Sequence, residues 1–171
     1  LIGNNLRALR AAAECARSLG LCPLILSSSV EGETREVARV HAALAREVRA
    51  TGNPLPPPAC LISGGETTVT LRGNGLGGRN QEFVLAAALE IEGLQDVVIF
   101  SAGTDGSDGP TDAAGAVADG TTVSRARSIG LEPIRSLHEN DSYHLFQRLN
   151  DLVITGPTNT NVMDVRLIVV G

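Results

Sequence analysis

Residues 62–82 have the sequence ISGGETTVTLRGNGLGGRNQE, and residues 97–115 have the sequence VVIFSAGTDGSDGPTDAAG. Each segment places flexible glycines and charged side chains at the end of an apolar, strand-like run. In open α/β sheets such turns border the crevice that binds anionic ligands, because the helix that follows presents unpaired backbone N–H groups. The two segments therefore predict an α/β fold and chemistry on a phosphate or carboxylate ligand.

Composition excludes several other classes of protein. The chain has 171 residues, of which 43% are hydrophobic but only 2% aromatic, so a core of aliphatic side chains is expected. The net charge of −5 argues against a nucleic-acid partner, whose phosphates require a basic face. No apolar run of the sequence is long enough to span a membrane. The three cysteines show no close metal spacing, which indicates reduced thiols in a cytoplasmic protein.

Helical and strand-like apolar patterns alternate along the chain and predict a layered, mixed sheet flanked by helices. The predicted helices cover residues 4–19, 33–50, 79–91, 121–129 and 141–149, and the predicted strands cover 23–28, 59–63, 67–72, 97–101 and 164–170. The strands 59–63 and 67–72 are separated by a short glycine-rich segment, which predicts a hairpin. Residues 113–119 are compatible with either a helix or a strand.

Residues 73–78, with the sequence GNGLGG, contain the glycine spacing of the dinucleotide-binding fingerprint. An NAD(P)-dependent oxidoreductase is therefore one hypothesis. Two observations argue against it. The acidic residue expected at the end of the next strand is missing, because Asp96 lies before that strand. The strand before the glycines belongs to a predicted hairpin and not to a parallel unit.

Arg79 follows these glycines directly, at the start of a predicted helix. A guanidinium at that position offers a planar, permanently charged fork to a phosphate, and the helix amides surround the rest of the anion. The alternative is a surface ion pair with Glu66 or Glu82. The segment is not a nucleotide P-loop of the usual kind, because the required lysine is absent.

The second glycine-rich turn contains Asp105, Asp108 and Asp112, whose carboxylates could converge on Mg²⁺. Asp112 is equally well placed as a helix cap, whereas Asp105 ends the most apolar strand and is the strongest candidate for a functional acid. Residues 155–164 offer many hydrogen-bonding groups, but alone they are typical of a solvated turn. Residues 139–142 are interpreted as capping a helix.

Taken together, these segments resemble the C-terminal domain of class II glycerate kinases, which is called the MOFRL domain. The motifs that carry the resemblance are GGETTV at 64–69, GGRNQE at 77–82, SAGTDG at 101–106, DGPTDAAG at 108–115, NDSY at 140–143, TGPT at 155–158 and TNV at 160–162. The resemblance covers residues 59–171. Residues 1–58 look like the tail of the larger N-terminal domain of that family, with a helix, a strand, a helix and a linker.

The resemblance implies ATP-dependent phosphorylation of D-glycerate, usually at its 2-hydroxyl, in a cleft between the two domains. The catalytic pair proposed for the family is a lysine of the N-terminal domain and an arginine that maps onto Arg79. This chain has no lysine and begins at Leu1, so we expect a fragment whose missing N-terminal domain supplies the lysine. The fragment alone is then expected to be inactive. Some relatives have been labelled hydroxypyruvate reductases.

The resemblance and the chemistry of phosphoryl transfer also predict the site residues. Arg79 neutralises charge on the transferring phosphoryl group, and Asp105 either holds Mg²⁺ or orients the acceptor hydroxyl, with Asp108 as a second metal ligand. The remaining residues expected to bind nucleotide or glycerate are Gly64, Gly65, Glu66, Gly77, Gly78, Asn80, Thr104, Thr158 and Asn161. The rival hypothesis is a non-catalytic module that binds an anion or a nucleotide. A homodimer is compatible with the sequence, although no segment demonstrates an interface.

Overall fold

A computed structural model describes residues 4–171 and, within that range, shows six helices and six strands. The helices are α1 (Asn5–Ser18), α2 (Thr34–Thr51), α3 (Arg79–Glu90), α4 (Thr122–Ser128), α5 (Pro133–His138) and α6 (Ser142–Leu149). The strands are β1 (Cys22–Val30), β2 (Ala59–Gly65), β3 (Val97–Gly103), β4 (Gly115–Asp119), β5 (Leu152–Val153) and β6 (Asp164–Val170). All six strands form one sheet in the order β1-β2-β6-β3-β4-β5.

The sheet is mixed, as the alternating pattern predicts. β1 and β2 run parallel, whereas every other neighbouring pair is antiparallel. The five predicted helices begin and end within one residue of the observed bounds. The start of α1 is determined by a local cap, because the side chain of Asn4 accepts a hydrogen bond from the N–H of Arg7 at 2.9 Å. The α/β fold class is confirmed.

The predicted hairpin is wrong. Residues 67–72 form no strand, and β2 pairs with β1 on one edge and with β6 on the other. Because both edges of β2 are occupied, the segment after it has no strand to pair with. Its strand-like pairing is limited to a single bridge to the turn before α2, where the N–H of Thr68 donates to the carbonyl of Gly32 at 2.9 Å.

Three smaller elements complete the comparison with the sequence. Residues 115–119 are a strand, β4, because they pair with β3 over their whole length. The short helix α5 was not predicted, and it is a single turn and a half that begins at a proline. The two-residue strand β5 was not predicted either, and it exists only through its pairing with β4.

Helices cover both faces of the sheet. The larger core cluster joins α2 and α3 to the strands, and α3 is buried over nine of its twelve residues. On the opposite face, Leu9 and Ala13 of α1 pack against Cys60 and Ile62 of β2. The strand β6 contributes to both clusters and is therefore covered on both faces.

Residues 4–58 and 59–171 share this sheet and this core. β1 pairs with β2 along its length, and α2 packs against α3. Assignment of residues 1–58 to a larger N-terminal domain stays a prediction. Within residues 4–171, no helix combines the length and the apolar character that a membrane crossing requires.

Candidate active site

The two glycine-rich turns meet at one edge of the sheet. Gly65, the last residue of β2, and Gly103, the last residue of β3, both pair with Asp164, the first residue of β6. Since β6 lies between β2 and β3 and runs in the opposite direction, its beginning lies where the other two strands end. The first turn of α3 contacts this edge through Arg79 and Asn80. The sheet therefore gathers the charged residues of both turns at one place.

The guanidinium of Arg79 is held by two carboxylates. Its Nε and Nη2 donate to the two oxygens of Asp164 at 2.8 and 3.0 Å, and its Nη1 lies 3.0 Å from Oε1 of Glu66. Asp164 is fully buried, whereas the side chains of Arg79 and Glu66 are 31% and 55% exposed. The hydrogen bonds to Asp164 raise the pKa of Arg79. Asp164 thus fixes the arginine, and Glu66 is the partner that an incoming anion can displace.

Asp164 is the centre of this cluster. Besides both contacts from Arg79, its oxygens accept hydrogen bonds from Nδ2 of Asn80 at 3.0 Å and from Nη2 of Arg166 at 2.9 Å. Its backbone carbonyl accepts a further bond, at 2.8 Å, from Nδ2 of Asn5 at the start of α1. Sequence reasoning did not single out Asp164 or Arg166 as site residues. The available signal was an arginine inside an otherwise apolar strand.

Asp108 caps the start of α3 from a distance in sequence. Its Oδ1 accepts the N–H of Asn80 at 3.0 Å, and its Oδ2 accepts the N–H of Gln81 at 2.9 Å. Gly78, at the N-cap position, has no side chain for this task. Burial raises the pKa of Asp108, while the hydrogen bonds from the α3 amides act in the lowering direction. The carboxylate also compensates the positive end of the helix dipole.

The metal roles predicted for Asp105 and Asp108 stay predictions. Both oxygens of Asp108 already accept N–H groups of α3. In the part of the chain that the structure describes, no three side chains of histidine, cysteine, aspartate or glutamate are grouped so that they could hold a metal ion. A cation at this edge would therefore need oxygen atoms from a bound ligand or from water.

Three amides at the beginning of α3 are open. Within residues 4–171, no hydrogen bond engages the backbone N–H of Gly77, Gly78 or Arg79. These residues line a cleft of about 560 Å³, whose other walls come from Glu82 and from the segments 69–75, 109–110 and 140–142. Open amides at a helix start beside a guanidinium are a suitable arrangement for binding an anion.

The glycines of the dinucleotide-like pattern have a structural explanation. A side chain at Gly73 would collide with the backbone of Glu139, and one at Gly75 would collide with Glu139 and Asp141. The loop needs these glycines because it packs directly on the segment before α6. No strand precedes the loop directly, so the strand–turn–helix context of a dinucleotide site is missing.

The remaining predicted glycines also pack against the chain itself. The space beside each is filled by another residue: Asn5 beside Gly64, Val30 beside Gly65, Ser142 beside Gly77 and Asp108 beside Gly78. Close approach of backbone to neighbouring elements explains their lack of a side chain. Their contact with a ligand, through the open amides of Gly77 and Gly78, stays a prediction.

Asn140 and Asp141 hold the glycine loop in place. The Oδ1 of Asn140 accepts the N–H groups of Arg72 and Gly73 at 2.7 and 3.0 Å, and Oδ1 of Asp141 accepts the N–H of Leu76 at 2.9 Å. The prediction that these side chains cap a helix is wrong, since α6 has no side-chain cap bond at its start. Their acceptors are used by the loop that packs against them.

A second buried ion pair lies behind the first turn of α3. Nε and Nη2 of Arg35 donate to the two carboxylate oxygens of Glu82 at 2.8 and 3.2 Å, and both side chains are almost fully buried. Nδ2 of Asn140 donates to the same carboxylate at 2.8 Å. Two surface partners were considered for Arg79. Of these, Glu66 contacts Arg79, whereas Glu82 pairs with Arg35.

The predicted residues of the second turn form a group of their own. The hydroxyl of Thr104 donates to the carbonyl of Met163 at 2.7 Å, and the N–H of Thr158 donates to the carbonyl of Asp105 at 3.1 Å. Nδ2 of Asn161 lies 3.5 Å from Oδ2 of Asp105. These contacts tie residues 104–105 to the polar loop that precedes β6.

This group borders the Arg79 cluster. Oδ1 of Asp105 and Nδ2 of Asn80 both lie within 4 Å of the position that a Cβ on Gly103 would occupy. Oδ1 of Asp105 also accepts the N–H of Ser107 at 3.1 Å, whereas Oδ2 has only the long contact to Asn161. Asp105 therefore keeps one oxygen that can accept a ligand at the same sheet edge.

Comparison with known proteins gives a consistent result. Residues 59–164 match the MOFRL family. The chain is 46% identical over 164 residues to a D-glycerate 2-kinase from Thermotoga maritima, a match that covers 96% of this chain and 39% of that protein. It is also 46% identical over 166 residues to a "putative hydroxypyruvate reductase" from Agrobacterium vitis, covering 96% of this chain and 38% of that protein.

A solved structure shares the fold almost completely. The crystal structure of a glycerate kinase from Thermotoga maritima superposes with a TM-score of 0.97 and 44% identity, covering 99% of this chain and 41% of that one. The chain therefore spans about two fifths of the length of the relatives it matches. The sequence match, the shared fold and the two glycine-rich turns agree, and the chain belongs to the MOFRL family.

Proposed function

We propose that this chain is the C-terminal part of a glycerate kinase, which transfers the γ-phosphoryl group of ATP to a hydroxyl of D-glycerate, the 2-hydroxyl being the expected acceptor. The observation that carries the proposal is the position of Arg79. Its guanidinium is fixed by buried Asp164 beside three open amides, at the edge of a cleft large enough for a nucleotide. The similarity to glycerate 2-kinases over nearly the whole chain supports the choice of substrates.

Arg79 acts on the transferring phosphoryl group. In phosphoryl transfer the protein contributes mainly positioning and charge stabilisation, because negative charge spreads over the phosphoryl oxygens. The open N–H groups of Gly77 and Gly78 lie next to the arginine in the chain and bind further oxygens of the same anion. Glu66 occupies one face of Arg79 in the absence of ligand and leaves it when the phosphoryl group binds.

Asp105 is the residue that approaches Mg²⁺ or the acceptor hydroxyl. Mg²⁺ is usually bound by one or two carboxylates together with waters and substrate phosphates, and Asp105 has one oxygen suited to that task. When bound, the ion neutralises charge on the phosphate oxygens. Asp108 is less suited because both of its oxygens hold α3, so we assign it the positioning of that helix. Thr104, Thr158 and Asn161 hold the loop that presents Asp105.

The remainder of the active site comes from an N-terminal domain. The catalytic pair that the resemblance implies includes a lysine, and this chain has none. The sheet edge with Arg79 then forms one wall of an interdomain cleft. Residues 1–58 are proposed to be the tail of that domain, although β1, which lies within this range, pairs with β2.

The first test is a coupled assay of ADP formation with ATP, D-glycerate and Mg²⁺, on the full-length protein and on this chain in parallel. The proposal predicts D-glycerate-dependent turnover in the full-length protein and none in the chain alone. Product analysis by NMR identifies the hydroxyl that is phosphorylated. A folded full-length protein that hydrolyses or transfers nothing with D-glycerate would contradict the proposed substrate.

Hydroxypyruvate reduction is the second candidate, since relatives carry that name. The glycine pattern that suggested it is explained by packing against residues 139–141. An absorbance assay with NAD(P)H and hydroxypyruvate separates the two activities in one experiment. Binding of ATP or D-glycerate without any turnover would instead favour the non-catalytic module.

A further inference from the structure

Arg166 is a buried arginine whose hydrogen-bonding capacity is largely unused. It lies in the middle of the sheet on β6, is 1% exposed, and packs its guanidinium 5.3 Å from the ring centre of Phe83. Its Nη2 donates to Asp164 at 2.9 Å and to Thr67 at 3.2 Å. Within the described residues, its Nε and Nη1 have no hydrogen-bond partner. A buried cation with open donors is costly, so packing alone does not explain an arginine at this position.

Asp164 does not need Arg166 as a partner. The carboxylate already accepts both hydrogen bonds of Arg79 and one from Asn80. Removing Arg166 would therefore leave a buried carboxylate that is still paired and hydrogen-bonded. The contribution of Arg166 must instead be its charge.

The charge balance of the cluster depends on Arg166. Two buried carboxylates, Asp164 and Asp108, lie beside Arg79, and the exposed Glu66 adds a third negative charge. With Arg79 as the single cation beside them, the two buried carboxylates would leave the cluster with a net negative charge, which would repel a phosphate. Arg166 supplies the second positive charge, in a buried place where solvent screens it least.

We infer that Arg166 is a positioning residue of the anion site, which acts through Asp164 by offsetting the negative charge of that carboxylate. Asp164 can then hold Arg79 in place while the Arg79 guanidinium still attracts a phosphoryl group. This inference rests on the proposed function for the phosphoryl ligand, but its electrostatic part applies to any phosphate-bearing anion. It assigns a task to a residue that touches neither the cleft nor the open amides.

The test uses three variants of the full-length protein. Arg166→Met removes the charge and keeps a flexible apolar side chain, and Arg166→Lys keeps the charge. Arg125→Met is the matched control, because Arg125 also forms a close pair with an aspartate, Asp151, outside the site. Each variant is measured by thermal unfolding, by steady-state kinetics with ATP and D-glycerate, and by calorimetric titration with inorganic pyrophosphate at low salt.

Arg166→Met is expected to bind pyrophosphate on the order of tenfold or more weaker, with a similar loss in kcat, because a nearby buried charge is lost. The Arg166→Lys variant should stay within about threefold of the wild type in both, and the loss in Arg166→Met should persist at higher salt, because salt screens a buried charge least. Arg125→Met should match the wild type. Unchanged pyrophosphate affinity in folded Arg166→Met would overturn the inference, and so would an equal loss in folded Arg166→Lys.

The two proposals can fail separately. If the wild type shows no kinase activity but Arg166→Met still loses pyrophosphate affinity, the proposed function is contradicted and the role of Arg166 is supported. If Arg166→Met does not fold, Arg166→Lys decides. Wild-type pyrophosphate affinity in that variant supports the charge role, and a tenfold loss in the folded variant contradicts it.

Discussion

Two arginine–carboxylate pairs involve the first turn of α3, and they differ in what surrounds them. Arg35 and Glu82 are both almost fully buried, and the carboxylate also receives Asn140. Arg79 pairs with the buried Asp164, but its guanidinium is partly exposed and its other partner, Glu66, faces solvent. The first pair is almost completely closed to solvent, whereas the second keeps part of its arginine accessible.

This difference in exposure indicates that one arginine–carboxylate pair has a structural role and the other a functional role. The pair of Arg35 and Glu82 joins α2 to α3 and, through Asn140, reaches the glycine loop. The pair of Arg79 and Asp164 holds a charged group in one orientation at the edge of a cleft. Breaking the closed pair should therefore cost stability, and breaking the open pair should cost activity.

Arg79→Ala should give the largest effect. Loss of an arginine that stabilises a transferring phosphoryl group lowers kcat on the order of a thousandfold. Steady-state assays of the full-length protein measure it, with circular dichroism to show that the variant is folded. Arg125→Ala is the control, since it removes an arginine of similar exposure from an aspartate pair elsewhere. Turnover of folded Arg79→Ala within tenfold of the wild type would rule out the catalytic role.

Arg35→Met should show the opposite behaviour. It leaves the carboxylate of Glu82 buried without its cation, which costs about 3–5 kcal/mol in the free energy of unfolding. Urea denaturation measures the loss, and kcat per folded molecule is expected to stay within a few-fold of the wild type. A variant as stable as the wild type would show that this pair contributes nothing to the fold.

Asp108→Ala should have a smaller effect on stability. It removes the carboxylate that accepts the N–H groups of Asn80 and Gln81 at the start of α3, a loss of about 1–2 kcal/mol for a helix cap. Thermal unfolding measures it. Asp112→Ala is the matched control, because Asp112 is exposed and its one hydrogen bond within residues 4–171 comes from the hydroxyl of Tyr143. An equal loss in both variants would contradict the capping role.

The smallest expected effect is a pH dependence of the free energy of unfolding that is caused by His41. Burial lowers the pKa of His41, whose Nδ1 donates to the carbonyl of Val37 while its Nε2 accepts from the hydroxyl of Ser63. The unfolded chain protonates this histidine near pH 6.5, before the folded protein does, so its contribution to stability is present above that pH. The contribution is lost as pH falls from about 6.5 towards the lower folded pKa.

The His41→Gln variant isolates this contribution. The difference in unfolding free energy between wild type and variant should decline with falling pH by at most about 1.4 kcal/mol per pH unit in that window. The other two histidines are common to both proteins and cancel in the comparison. A difference that does not change with pH would show that His41 has an ordinary pKa.

Local features of the chain were predictable, and long-range pairings were not. Five of the six described helices follow from apolar periodicity and from caps such as Asn4, so their bounds agree within one residue. The supposed hairpin failed because pairing of β2 with β6 joins segments about a hundred positions apart, which local spacing cannot reveal. The resemblance to the MOFRL domain identified the family correctly.

The same limit applies to the site. Arg79 and the sheet edge were predictable from the glycine-rich turns, because strand ends and helix starts determine where such residues lie. Asp164, which orients Arg79, is 85 positions away, and the partner of Glu82 is 47 positions away. Nothing in the sequence around Arg79 or Arg35 distinguishes an arginine with a buried partner from one on the surface.

The most direct test of the account is a crystal structure of the full-length protein with a non-hydrolysable ATP analogue, Mg²⁺ and D-glycerate. The account predicts the terminal phosphate within hydrogen-bonding distance of the Arg79 guanidinium and the amides of Gly77 and Gly78, with Glu66 displaced. Phosphates bound instead in the neighbouring cleft lined by Arg135 and His144, with the Arg79–Glu66 contact intact, would contradict it.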